Sequence, residues 1–300
     1  MTEKTYGRWT TDARGKSTKR FVAIEPADKA VTCTCGRPDC HRAKLLPFRE
    51  HIAELYRTIW QLNDEQLHVS ESCDWSSVLY GLRMAASIDD VEADTGYVED
   101  ALVFALCEPS IDYERGQSEM ASKYVAAASI FNFLWLAYEA AVGATAPGEL
   151  RRLAREARLG ERGRRLLEAR PEMSARFRGV NDLANLALLH CRKGGLMLDR
   201  CARIEQRFAD QGLVTAAELC REFRNFLYHG EDEVPHHEDW GDPVTSRCRI
   251  FRFYSVSRLV LYLIQAMCWI AVEGGDRVVE HDAGSEDLTA REVLQRLQFR

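Results

Sequence analysis

The sequence predicts a mainly α-helical protein, in which a helical bundle follows a small N-terminal region with a cluster of cysteines. Apolar residues recur every three to four positions through most of the chain, two long segments are apolar on almost every side, and cysteines crowd only near residue 35. With 46% apolar and 29% charged residues, 300 residues can bury a substantial core. We therefore expect two units, an N-terminal domain over residues 1–110 and a helical domain over residues 111–300.

The N-terminal region is expected to begin with little regular structure. Residues 1–30 are polar apart from the β-like run RFVAIEP, which predicts no more than a hairpin. Residues 48–62 then predict a helix, because apolar residues recur on one face. That face consists of Phe48, Ile52, Leu55, Ile59 and Leu62. Two further helices are predicted at residues 75–87 and 97–108, before Pro109 marks a boundary.

Two long apolar segments predict the core of the helical domain. KYVAAASIFNFLWLAYEAAVG, residues 123–143, is apolar almost all round, so we expect a central helix in which Glu139 is a single charge in a dry setting. CRIFRFYSVSRLVLYLIQAMCWIAVE, residues 248–273, predicts a second core helix.

Capping signals predict the ends of two shorter helices. Thr215 and Glu218 have the spacing of a capping box, and Gly230 suits the position just after a helix end. These signals predict a helix over residues 216–229. Thr289 with Glu292 predicts the start of a short terminal helix.

Charge is distributed unevenly along the chain. The formal net charge of −6 excludes a generally basic nucleic-acid binder, so any such contact must come from a local patch. Residues 149–170 contain eight arginines and four glutamates. This segment is either a solvated face of Glu–Arg pairs or a phosphate-contacting surface.

The cysteine cluster predicts a structural zinc site. Four soft ligand side chains fall within nine residues: Cys33, Cys35, Cys40 and His41. Glycine and proline between them favour the tight turn of a zinc knuckle, and four protein ligands would close the site. Since Cys40 and His41 are adjacent, the fourth ligand is instead His68 or Cys73 if they cannot point the same way. The alternative is a loop of exposed thiols.

The motif that carries chemistry is RNFLYH, residues 224–229, at the end of the predicted helix. Five residues at about 100° each separate the side chains of Arg224 and His229 by about 140°, so they cannot converge within one regular helix. Either the last turn unwinds towards Gly230, or two copies of the segment face each other in a composite site.

The arrangement resembles the HEPN superfamily, most closely the branch of prokaryotic defence and toxin proteins. Arg224, Asn225 and His229 match its Arg-x(4–6)-His motif, while Glu139 and its neighbours match the preceding helix more loosely. The resemblance covers roughly residues 118–275. It implies a helical bundle, a homodimer and a metal-independent endoribonuclease site at the dimer interface, acting in a toxin or anti-phage defence role.

The side chains suit that chemistry without the family name. Cleaving RNA without a metal requires a base, an acid and positive charge on the phosphate. His229 can exchange protons, Arg224 can hold two phosphate oxygens, and Asn225 can orient either partner. The expected products are a 2′,3′-cyclic phosphate and a 5′-hydroxyl. Six acidic residues in the stretch 231–242 are an unfavourable field for RNA.

Two other functions remain open from the sequence. One is a non-catalytic HEPN-like scaffold that binds an antitoxin or a nucleotidyltransferase-type partner, and the other is a sensor in which residues 1–110 respond to a trigger. The N-terminus lacks an apolar signal-like stretch, and the apolar run between Arg258 and Glu273 is short for a bilayer. We therefore expect a cytoplasmic protein with no membrane contact.

Overall fold

The computed structural model describes residues 7–11, 17–22, 24–64, 75–98, 108–145, 159–195, 197–236, 245–272, 278–279 and 288–299. Within these residues the protein is mainly α-helical, as predicted. The helices are α1 Ile24–Val31, α2 Phe48–Asp64, α3 Ser76–Ser87, α4 Glu108–Thr145, α5 Leu159–Glu168, α6 Glu172–Arg176, α7 Val180–Lys193, α8 Leu198–Phe208, α9 Leu213–Tyr228, α10 Thr245–Ala271 and α11 Ala290–Arg296. Single 3-10 turns span His41–Ala43 and Thr95–Val98.

Short strands complete the secondary structure. The strands are β1 Gly7–Thr11, β2 Ser17–Val22, β3 Asp90–Val91, β4 Val278–Val279 and β5 Leu288–Thr289. The first three form an antiparallel sheet in which Phe21 of β2 lies opposite both Gly7 and Val91. The antiparallel pairing of β1 with β2 confirms the hairpin predicted near the N-terminus. The other two strands pair antiparallel with each other.

Helix α10 lies at the centre of the protein. It packs against α1, α2, α4, α7, α9 and α11, and almost all of its side chains from Phe253 to Cys268 are fully buried. The second predicted core helix is therefore confirmed. The other, α4, begins at Glu108, fifteen residues before the predicted start at 123. Pro109 lies in its first turn, where the missing N–H of proline costs no helical hydrogen bond.

Two helices are long and apolar enough to cross a membrane by length and composition alone. They are Ile111–Thr145 and Arg247–Ala271, and 89% of the apolar window in the second is buried inside the protein. Buried core helices pass the same test, so the two helices are weak evidence for a membrane span.

The N-terminal helices share the hydrophobic core of the bundle. All five apolar residues predicted for one face of α2 are buried, which confirms that helix. Helix α3 also matches its prediction, whereas most of the helix predicted over 97–108 lies outside the described residues. The expectation of no more than a hairpin in residues 1–30 is wrong, because β2 ends at Val22 and the second half of the β-like run lies in α1. Pro26 in the first turn of α1 is a helix-start signal. The division at residue 110 stays a prediction.

A buried polar chain joins α1, α2, α10 and α11. Arg258 of α10 is fully buried, donates to His51 Nδ1 at 2.9 Å and lies 3.7 Å from the carboxylate of Asp28. His51 Nε2 lies 2.9 Å from Gln265 Oε1, and Gln265 Nε2 donates to Gln298 Oε1 at 3.0 Å. Polar groups in a core stabilise only when they are paired, so this chain fixes how the N-terminal helices meet α10.

Helix α5 packs on α4 through two glycines. A Cβ atom at Gly163 would lie 2.1 Å from the Tyr138 hydroxyl, and one at Gly160 would lie 3.1 Å from the Trp135 ring. A larger residue at Gly163 therefore requires the side chains of Tyr138 and Val142 on α4 to shift. This close approach brings the charged face of α5 next to α9.

The predicted start of α9 is wrong, whereas that of α11 is right. Helix α9 begins at Leu213, so Thr215 lies inside it and its hydroxyl donates to the Phe208 carbonyl instead of capping. Glu218 pairs with arginines, as described below. Thr289 and Glu292 form the capping box predicted at α11, with the Glu292 carboxylate accepting from the Thr289 N–H at 2.9 Å.

Candidate functional site

The candidate site lies at the C-terminal end of α9, which ends in a Schellman motif. The Gly230 N–H donates to the Leu227 carbonyl at 3.2 Å, and the Glu231 N–H donates to the Phe226 carbonyl at 3.3 Å. Gly230 has φ = 69°, a backbone conformation that suits glycine, so its predicted place just after the helix is confirmed. The closed end holds the last helical turn in a defined position.

Arg224 is held against a tyrosine ring one turn further on. Its guanidinium carbon lies 4.2 Å from the ring centroid of Tyr228, and its Nη1 lies 3.5 Å from Asn225 Oδ1. Its Nε is buried without a hydrogen-bond partner. Within the described part of the chain, no carboxylate forms an ion pair with Arg224. Its described contacts are therefore with Tyr228 and Asn225.

The neighbouring arginines differ, because glutamates neutralise them. Arg221, one turn before Arg224, donates to Glu218 and to Glu222, each at 2.7 Å. Arg164 of α5 contacts Glu161 at 2.8 Å and Glu168 at 2.9 Å. The guanidinium of Arg164 lowers the pKa of Glu161 to about 2. The arginine-rich segment is thus a face of Glu–Arg pairs over residues 159–168, and residues 149–158 lie outside the described part.

His229 is exposed just beyond the end of α9 and keeps a helical hydrogen bond. Its N–H donates to the Asn225 carbonyl at 3.0 Å, so the last turn does not unwind before Gly230. No described hydrogen bond joins the side chains of Arg224 and His229. Of the two arrangements expected from the sequence, unwinding does not occur. The composite site between two chains stays a prediction.

The first half of the acidic stretch folds back onto the bundle. Asp232 has a side-chain exposure of 1% and pairs with Arg252 of α10, whose side chain has none. The Tyr124 hydroxyl donates to the second Asp232 oxygen at 3.1 Å, and burial together with this carboxylate raises the pKa of Tyr124. Glu231 pairs with Arg200. Two of the three described acids are therefore neutralised, while Glu233 is exposed.

Glu139 is half-buried on α4, so the fully dry setting expected for it is wrong. The preceding residue, Tyr138, is buried, and burial followed by the charges of Cys220 and Glu139 raises its pKa. No described hydrogen bond or ion pair joins Glu139 to the residues of the RNFLYH motif. Its part in the site stays a prediction.

Three of the four predicted metal ligands come together. The sulfur atoms of Cys33, Cys35 and Cys40 lie within 4.8 Å of one another, so these residues could hold a metal ion. The N–H and the guanidinium of Arg37 lower the pKa of Cys35 to about 6, which favours the thiolate that metals bind.

His41 does not join this cluster. Its Nδ1 lies 3.8 Å from Asp182, and its ring lies 5.8 Å from that of Phe299. The alternative ligands His68 and Cys73 lie outside the described residues.

Two features of the site were not found from the sequence. Tyr228 lies four residues after Arg224, a spacing at which helical side chains meet, so this contact could have been predicted from the sequence. The pairing of Asp232 with Arg252 had no such signal, because the two residues belong to different elements.

Comparisons with protein-family models, with curated proteins and with solved structures found no match to this chain.

Proposed function

We propose that this protein is a metal-independent endoribonuclease of HEPN type that acts in the cytoplasm in a toxin or anti-phage defence role. One observation carries the proposal: Arg224 is free of any described carboxylate at a closed helix end, beside Asn225 and one turn before the exposed His229. An arginine without a described ion pair and an exposed histidine at the same helix end suit the binding and cleavage of a phosphodiester once a second chain brings the two side chains together.

Each side chain has a role in the proposed reaction. His229 takes the proton from the ribose 2′-hydroxyl or gives one to the leaving 5′-oxygen, because imidazole exchanges protons near neutral pH. Arg224 stabilises the extra negative charge on the phosphate, and Asn225 orients the phosphate or the histidine. The 2′-oxygen attacks phosphorus and the bond to the 5′-oxygen breaks, leaving a 2′,3′-cyclic phosphate and a 5′-hydroxyl. DNA lacks the attacking group and is not cut.

The proposed active form is a homodimer. Since the last turn of α9 stays helical, the Arg224 and His229 side chains of one chain diverge by about 140°. We place Arg224 of one chain beside His229 of its mate across a two-fold axis.

Mixing Arg224→Ala with His229→Ala protein tests this arrangement. Random subunit exchange makes half of the dimers mixed, and each mixed dimer has one intact composite site of two, so about a quarter of the wild-type activity returns. Sites built within one chain would recover none.

The test of the activity uses purified protein, a single-stranded RNA and EDTA. We expect cleavage to persist in EDTA, since the described residues of the site include no carboxylate cluster that could hold a magnesium ion, and the products to carry 2′,3′-cyclic phosphate ends. Arg224→Ala and His229→Ala should each reduce the rate at least about 100-fold. Arg221→Ala, an arginine change one turn away, is the matched control and should stay within about threefold of the parent rate. Cleavage that chelation removes, with the fold intact by circular dichroism, would contradict the mechanism.

A non-catalytic module is the second candidate function. The exposed Glu233 places negative charge four residues after His229, which opposes RNA and favours a basic partner such as an antitoxin or a nucleotidyltransferase-type protein. This candidate predicts no cleavage under any condition. A sensor that needs a trigger would instead cleave only when the trigger is added.

We also propose that the three clustered cysteines bind one structural zinc ion per chain, with a fourth ligand from His68, Cys73 or a rotated His41. Soft thiolates at mutual distances below 4.8 Å suit zinc. Elemental analysis of reduced protein should find about one zinc per chain. The double change Cys33→Ser/Cys35→Ser should remove the metal, whereas Cys268→Ala, in the core, should not. Freshly prepared protein without zinc would refute the site.

A further inference from the structure

Tyr228 is the last residue of α9 and a large aromatic side chain that the fold leaves open. Its exposure is 56%, although the two preceding residues, Phe226 and Leu227, are buried and half-buried. It stands between the arginine and the histidine of the candidate site in the sequence. An aromatic ring in this place has a face for a ligand.

The Tyr228 ring is covered by a guanidinium, and the backbone that follows it is held by hydrogen bonds. The guanidinium of Arg224 lies over the ring at 4.2 Å, a distance at which a cation is attracted to the face of an aromatic ring. The Schellman hydrogen bonds from Gly230 and Glu231 hold the backbone immediately after it. A ring that is already ordered loses little entropy when a flat ligand stacks on it.

We propose that the exposed ring of Tyr228 is a stacking subsite for an unpaired nucleobase, next to the phosphate that Arg224 binds. The inference rests on the proposed function and names its substrate class, which is single-stranded RNA with a base free to leave the strand's own stack. Every base has a π face, so this contact selects unpaired over paired RNA and tolerates different bases. Stacking on the Tyr228 ring also adds affinity for RNA at a site that lies beside acidic residues, without added positive charge.

The experiment measures binding, separately from cleavage. In protein carrying His229→Ala, which removes the chemistry, fluorescence anisotropy with a 12-nucleotide single-stranded RNA gives Kd, and 2-aminopurine in that RNA reports stacking by quenching. A duplex of the same sequence is the comparison ligand. The added changes are Tyr228→Leu, which removes the ring, Tyr228→Phe, which retains it, and Tyr80→Leu, which removes a ring with a similar exposure of 60% elsewhere on the surface.

We expect Tyr228→Leu to raise Kd for the single strand about tenfold and to abolish the quenching, because the base loses the aromatic side chain on which it stacks. Tyr228→Phe should retain the quenching and most of the affinity, and Tyr80→Leu should change neither. The duplex should bind weakly to every protein. Unchanged Kd and quenching in Tyr228→Leu would overturn the subsite, as would duplex binding equal to that of the single strand.

Failure of the subsite and failure of the proposed function are distinguishable. If Tyr228→Leu binds like its parent while Arg224→Ala still abolishes cleavage, only the subsite is wrong. If the single strand binds and stacks as expected but the protein with His229 intact never cuts it, the subsite stands and the nuclease proposal fails. If the parent neither binds nor quenches, the subsite is refuted whatever the cleavage assay shows.

Discussion

Two arginines, Arg252 in the interior and Arg224 at the end of α9, both lie on aromatic rings but differ in their other partners. Arg252 lies within 6 Å of the rings of Phe223, Phe226 and Phe253 and pairs with the buried Asp232. Arg224 lies on one exposed ring, without a described carboxylate. Arg252 is thus a buried charge with an acidic partner, whereas Arg224 is a charge without a described acidic partner.

The histidines of the two regions differ in the same way. His51 and His190 are buried and hydrogen-bonded, and burial, followed by nearby positive charges, lowers the pKa of both. His229 is exposed and is engaged through its backbone. The interior groups make contacts that stabilise the fold, whereas the exposed side chains at the end of α9 are accessible to a ligand. Changes inside should therefore lower stability, and changes at the helix end should lower activity.

The largest expected loss of stability is that of Asp232→Ala. It leaves the guanidinium of Arg252 buried without its counter-charge, and such changes cost about 3–5 kcal/mol of unfolding free energy. Urea denaturation measures this, with the exposed Glu233→Ala as the neighbouring control, which should stay within about 0.5 kcal/mol. Equal, small effects of the two changes would mean that Asp232 is not the buried partner described here.

The elements predicted correctly are those that depend only on residues near one another in the sequence. The buried face of α2 follows from apolar spacing, and the cap at Thr289 from a motif of four residues. Thr215 with Glu218 has the same spacing but lies within α9, because tertiary partners use both side chains: Phe208 accepts from one, and Arg221 donates to the other. Sequence spacing gave no access to those partners.

The next largest effect is the pH dependence of stability through His190. Its pKa is about 4 in the folded protein, because the ring is buried and faces the charges of Arg42 and Lys193, against 6.5 for a free histidine. The unfolded chain therefore binds this proton first as pH falls. The contribution of neutral His190 to the free energy of unfolding is fully present above pH 6.5. About 3 kcal/mol of it is lost between pH 6.5 and 4.

His190→Asn should make that acid-side slope shallower. Asparagine can keep a polar contact with Ser255, whose hydroxyl lies 3.1 Å from His190 Nδ1, but it does not titrate. Thermal unfolding of both proteins across this pH range measures the difference. Parallel curves would show that His190 is not held neutral by the fold.

The smallest expected effects on stability are those of Arg221→Ala and Arg224→Ala. Arg221→Ala should cost about 1 kcal/mol, since Glu218 and Glu222 lose a partner on a half-buried face. Arg224→Ala should cost about 0.5 kcal/mol, the worth of an exposed cation–ring contact. The loss of stability is thus expected to be larger for Arg221→Ala, whereas the loss of RNA cleavage is expected to be larger for Arg224→Ala. A larger stability loss at Arg224 than at Arg221 would assign Arg224 to the fold.

The sequence predicted where the RNFLYH residues lie on α9 but not which side chains they contact. The RNFLYH pattern placed Arg224, Asn225 and His229 at a helix end with Gly230 after it, and the structure agrees. That no described carboxylate pairs with Arg224 depends on which partner each glutamate of α5, α8 and α9 has, and spacing along one helix does not determine those partners.

The buried polar chain through His51 has only one possible direction. A guanidinium has no acceptor, so Arg258 must donate to His51 Nδ1, and the ring proton must sit on Nε2 and donate to Gln265 Oε1. Gln265 then has only its amide N–H groups left, which donate to the Leu294 carbonyl and to Gln298. A second proton on His51 would set two donors against each other at Nδ1. Protonation of His51 should therefore weaken the contact between α2 and α10, and a 15N spectrum of His51 that shows a single Nε2–H tautomer would identify the intact state.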